Sequence, residues 1–116
     1  MAFTALEIAE HTLTLEQHFW AHRRPPLQLR DQVREGQRFS DQAIELFIVR
    51  PAFNRPGEHV EESIAKVTYV RSKDVWHLFW KRADGKWHRY PPQPESKSLA
   101  AALRIIHEDA NACFFG

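Results

Sequence analysis

The chain has 116 residues, 43% of them hydrophobic, and a formal charge of +1; this is enough to bury a core as one domain spanning 1–116, and too little for two domains. Its one cysteine, Cys113, rules out an internal disulfide, and neither a basic, apolar leader nor a run long enough to cross a bilayer stands in the sequence. The expectation is a cytoplasmic protein with no membrane partner and no cofactor.

Thr4-Ala5-Leu6-Glu7 has the spacing of a capping box, so a helix is expected to begin there. At 100° per residue, Leu6, Ile8, Ala9, Leu13, Leu15, Phe19 and Trp20 fill about half its circumference. His22-Arg23-Arg24 followed by Pro25-Pro26 should end it. Part of Leu27 to Arg38 reads as an edge strand. Ala43 to Arg50 reads as a strand with Ile44, Leu46 and Ile48 on one face, and with Phe47 and Val49 implying burial on the other. Pro51 to Ser63 reads as a long loop and a candidate working surface.

Ile64 to Tyr90 holds Trp76, Trp80 and Trp87, three of the four tryptophans, and reads as three consecutive antiparallel strands. Ser72-Lys73-Asp74 closes the first hairpin and Asp84-Gly85 the second. A two-residue loop at Asp84-Gly85 pairs Arg82 with Trp87, Lys81 with His88 and Trp80 with Arg89, which puts two Trp/Arg pairs on one face beside Trp76. A three-residue loop with a bulge would shift that register. Between Lys66 and Arg89 the chain carries seven Lys or Arg and two acids, so these hairpins are basic within a nearly neutral protein. Pro91-Pro92-Gln93-Pro94 then makes an extended connection, and Ser98 caps a second helix with Leu99, Leu103, Ile106 and Ala110 on one face. Ala112 to Gly116 is apolar enough to be expected against the core.

The resulting fold class is α+β: an antiparallel sheet of about five strands with an N-terminal and a C-terminal helix packed mainly on one face. HRRPP, ELFIVRPAF, AKVTYVRS, VWHLFWKRADGKWHRYPPQP and HEDANACFFG together resemble an uncharacterised bacterial family, domain of unknown function 3024. The resemblance spans nearly the whole chain and implies a compact α+β domain with no catalytic residue to carry over.

Several constellations compete for a functional reading. His11, His18 and His22 lie on one stripe of the first helix, as metal ligands or as solvent-facing imidazoles. Glu58, His59, Glu61 and Glu62 form an acidic stretch that reads as a cation site or a solvated loop. His107, Glu108, Asp109 and Cys113 offer either an activated thiolate or a small buried cysteine. His77 and His88, with Lys81, form a candidate anion cleft on the face of Phe79 and Tyr90. The scattered glycines exclude a phosphate-binding loop. Trp76, Trp80, Trp87, Arg82, Arg89, Lys81 and His88 form the leading constellation, because aromatic faces stack bases while cations follow a phosphate backbone. The expected function is a non-catalytic binding module, with single-stranded nucleic acid as first partner and a protein partner or homodimer close behind. A small Cys/His or metal-dependent enzyme is the alternative.

Overall fold

The computed structural model describes residues 2–22, 33–52 and 54–109. Among these residues, two α-helices, α1 (Ala5–His18) and α2 (Leu99–Glu108), flank six strands in chain order: β1 (Arg34–Ser40), β2 (Ala43–Pro51), β3 (His59–Val70), β4 (Val75–Lys81), β5 (Trp87–Arg89) and β6 (Glu95–Ser96). The strands form one antiparallel sheet in the order β1-β2-β3-β4-β5, and β6 pairs with β4 beside β5. The α+β architecture expected from the sequence is therefore the observed one.

Thr4 caps α1 as its sequence requires: the Glu7 N–H donates to Thr4 Oγ1 at 3.2 Å, and the Thr4 N–H donates to Glu7 Oε1 at 2.9 Å. The helix stops at His18, with Phe19 as its C-cap, and a short 3-10 turn carries Trp20–His22. Its inward residues are fewer than the helical projection gives. Leu15, Phe19 and Trp20 are buried, whereas Leu6 and Leu13 remain 69% and 58% exposed. The reason is an anchor at each end: Phe3 is pinned through its N–H to the Asp41 carbonyl, and the Trp20 indole N–H donates to Gln37 Oε1. The helix is thereby rotated so that Leu6 and Leu13 point outward. Pro25, Pro26 and Leu27, and the apolar terminus with Ala110 and Cys113, lie outside the described residues.

Ser98 caps α2 by accepting the Ala101 N–H, and Leu99, Ala102, Leu103 and Ile106 are buried beneath it. They meet Ile44, Leu46, Ile64, Ala65, Val67, Trp76, Leu78 and Tyr90 from the sheet. Side chains of paired residues in an antiparallel sheet point the same way, and they alternate along each strand. One face, covered by the helices, thus takes Ile44, Leu46, Val67, Leu78 and Trp76, and the other takes Glu45, Lys66, His77 and Phe79. A bulge between Leu46 and Phe47 leaves Ile64 without a partner, and both Ile64 and Ala65 sink into the core.

β3 begins at His59, so the expected 51–63 loop shrinks: Val60 to Ser63 pair with Phe47 to Arg50. The stretch read as an acidic loop is half a strand. Its charges are used across strands, Arg50 with Glu62 at 2.8 Å and Arg38 with Glu61 at 2.9 Å. After Tyr90 the proline connector returns to the sheet, where Glu95 and Ser96 pair with His77 and Trp76.

Arg71, in the β3–β4 turn, grips Glu7 through both guanidinium nitrogens at 2.7 and 3.0 Å and ties α1 to the sheet. The Arg71 hydrogen bonds, followed by the Thr4 N–H, hold the Glu7 carboxyl at about 2 instead of 4.5. A lowered carboxylate pKa stabilises the fold at pH values above the unfolded-state pKa, and that contribution disappears as pH falls toward the folded value. Glu7→Gln should accordingly lower the thermal midpoint at pH 7, and the gap from wild type should close as pH drops from about 4.5 to about 2. Leu78 is fully buried at the centre of the covered face. Leu78→Ala should cost about 2–5 kcal/mol in urea unfolding, and a loss below about 1 kcal/mol would contradict its central placement.

Candidate functional site

The turn between β4 and β5 decides which side chains face outward. Arg82 and Lys86 close it through Arg82 N–H to the Lys86 carbonyl at 3.1 Å, and Gly85 donates to the Arg82 carbonyl at 2.9 Å. The loop is therefore Ala83-Asp84-Gly85. Within it, Gly85 has φ 78°, whereas Asp84 is not among the residues with positive φ, so the two-residue type I′ turn expected at Asp84-Gly85 does not form. Asp84 instead accepts the Lys86 N–H at 2.9 Å and lies 2.9 Å from His88 Nε2. Those contacts, the Lys86 N–H first, hold the Asp84 carboxyl below the usual carboxylate range.

This three-residue loop moves the register by one. Phe79 pairs with Arg89, Trp80 with His88 and Lys81 with Trp87, in place of the expected Trp80–Arg89 and Arg82–Trp87 pairs. The predicted Trp/Arg set is thus divided between the two faces. Trp76 is core, 4% exposed, with Phe3 stacked at 6.0 Å and His11 edge-on at 5.1 Å. Burial holds the His11 imidazole pKa below its ordinary value. Trp80 and His88 lie on the covered side, with the Arg82 guanidinium 5.5 Å from the Trp80 ring. His77 and His88 do not share a face either: His77 is on the open side, 3.8 Å from Glu95, with its pKa lowered by burial and then by Arg89.

Lys81, Trp87 and Arg89 do share the open face, and there they join Lys66 and Phe79, which the leading constellation read from the sequence does not include. Phe79 lies at the centre of this patch, with Lys66 Nζ 5.7 Å and the Arg89 guanidinium 5.9 Å from its ring centroid. The Lys81 ammonium lies 5.6 Å from the Trp87 ring. Phe79 and Trp87 are half-buried and Lys81 and Arg89 exposed. Among the described residues, none of Lys66, Lys81 and Arg89 is ion-paired with a carboxylate.

The other half of the open face has a different character. Phe47 lies across Gly36 so closely that a Cβ on Gly36 would come within 2.8 Å of its ring, and Arg38 covers it at 4.7 Å. Arg38 is also held by Glu45 at 3.0 Å and Glu61 at 2.9 Å, and the Glu61 hydrogen bonds, then those of Glu45, push its pKa up. Its charge is internally neutralised. The unneutralised cations and the rings they flank therefore gather over β3, β4 and β5.

Among the described residues, the alternatives based on reactive groups gain no assembled site. His107 is half-buried on α2, while Cys113 lies outside the described residues. Among the described residues, no group of three or more His, Cys, Asp or Glu is arranged to hold a metal ion. No helix there is long and apolar enough to cross a membrane.

No curated protein and no solved structure matches the chain. A family model matches residues 3–116, and the chain belongs to that family, described as Domain of unknown function (DUF3024).

Proposed function

We propose that this protein is a non-catalytic binding module of the bacterial cytoplasm that holds single-stranded nucleic acid on the open face of its sheet. The observation that carries this reading is the patch of Phe79 and Trp87 flanked by Lys66, Lys81 and Arg89 on the face opposite the two described helices. A sheet supplies what an unpaired strand needs: flat rings for bases, and cations at strand spacing for the phosphates between them. Phe79 and Trp87 lie diagonally across β4 and β5, which lets two bases stack side by side while Lys66, Lys81 and Arg89 reach the backbone. Because ring stacking serves every base, the module should bind with little sequence preference. Trp76 and Trp80, being on the covered face, have no part in the contact.

Fluorescence anisotropy of a labelled mixed-sequence single-stranded RNA tests this. Wild-type protein should give saturable binding whose logarithm falls with log salt with a slope of roughly −2, from three phosphate contacts at about −0.7 each. Phe79→Ala should weaken binding by about 5- to 150-fold, the equivalent of about 1–3 kcal/mol of stacking. Arg55→Ala, in the distal 54–57 turn, should leave affinity unchanged. A flat titration, or equal losses from Phe79→Ala and Arg55→Ala, would contradict the assignment and favour a protein partner for this face.

A further inference from the structure

A second site lies on the helical side. The two helices run beside each other, and between them is a pocket of about 270 Å³ lined by His18, His22, Ala100, Arg104 and His107. Among the described residues, no carboxylate lines it. An adjoining cleft of about 440 Å³ shares His18 and Ala100 and holds Glu7, Glu10 and Asp74 at its other end, while Glu16, Glu108 and Asp109 on the same two helices line neither space among the described residues. Glu7 is engaged by Arg71 and Asp74 by the Tyr69 hydroxyl, at 2.7 and 2.6 Å. One end of the interhelical groove is thus acidic and largely internally paired, and the other presents three imidazoles and one guanidinium.

The basic end has structure as well as charge. The His22 and His107 rings lie 6.0 Å apart and tilted by 51°, and His107 rests edge-on against fully buried Phe19 at 6.4 Å. His22 is placed by its N–H to the Phe19 carbonyl, and the Leu15 and Ile105 carbonyls at the two helix ends accept the N–H groups of Phe19 and Asp109. Arg104 and His18 are exposed and free to swing over the opening.

We propose that this pocket binds a phosphoryl group. The donors come from three elements, α1, the 3-10 turn and α2, and line one space together, so they match a tetrahedral oxyanion with oxygens in several directions better than a planar carboxylate, which one guanidinium fork would satisfy. The group is supplied either by inorganic phosphate or by a small phosphate monoester. This site is separate from the open sheet face, and its test does not depend on nucleic-acid binding.

The experiment is NMR of the imidazole ring signals at pH 6.5 and constant ionic strength, titrated in parallel with inorganic phosphate, methyl phosphate and acetate. Saturable shifts of His18, His22 and His107, with His77 and His88 unmoved, are expected for the two phosphates, and acetate should give none. Tighter binding of methyl phosphate identifies a monoester as the ligand class, and equal or weaker binding identifies the free anion. Arg104→Met, a change at an exposed helix position, should weaken phosphate binding by about tenfold or more while the His77 and His88 signals keep their positions. No saturable shift with either phosphate, equal response to acetate, or unchanged affinity in Arg104→Met would each overturn the proposal.

Discussion

Everything in this molecule depends on one face of its sheet being buried. Ile44, Leu46, Val67 and Leu78 are fully inaccessible beneath Leu15, Phe19, Leu103 and Ile106. Each such side chain contributes on the order of 1.5–3 kcal/mol of burial, and a one-residue slip of any strand would turn its whole set outward. The register is consequently fixed by the core. What remains on the other face is not chosen independently: Lys66, Phe79, Lys81, Trp87 and Arg89 are outside because Val67, Leu78, Trp80, His88 and Tyr90 are inside.

Placement of the helices on that face rests on a few polar contacts at their margins. Glu7 both closes the α1 capping box and receives Arg71 from the β3–β4 turn, and the Trp20 indole reaches Gln37 on β1. The Glu7–Arg71 pair is partly exposed, with 24% and 33% of the side chains accessible, so solvent screens it. Its contribution lies more in fixing where the helix sits than in net stability. The helix orientation that results leaves Leu6 and Leu13 outside and brings His18 and His22 toward α2.

Much of this could be read from the residues, and the failures have physical causes. Thr4 to Glu7 declared the first helix and Ser98 the second because capping is a local interaction between near neighbours. Ala43 to Arg50 and Val75 to Arg82 declared their strands through β-branched and aromatic residues, and the second ends one residue earlier, at Lys81. The Asp84-Gly85 dipeptide was recognisable as a turn, but its length was not. Asp84 satisfies the Lys86 N–H with its side chain and needs no positive φ, so the loop takes a third residue and the pairing moves by one. That single step separates Trp80 from Arg89 and brings Phe79 to it. Val60 to Ser63 read as part of the loop that holds Asn54-Arg55-Pro56-Gly57, because Arg38 and Arg50, the partners of Glu61 and Glu62, are distant in sequence and adjacent only after pairing. The approach of His22 to His107 is likewise a product of two helices docking on one sheet, and no local pattern announces it.

The most direct measurement is an NMR titration of the isotopically labelled protein with a short mixed-sequence single-stranded RNA, following backbone amides and the indole N–H signals together. The proposed function predicts that the largest changes fall on Lys66, Phe79, Lys81, Trp87 and Arg89, with the Trp87 indole shifting and the Trp76 indole unmoved. Changes confined to α1 and α2, or a Trp76 response equal to that of Trp87, would contradict the open face as the binding surface.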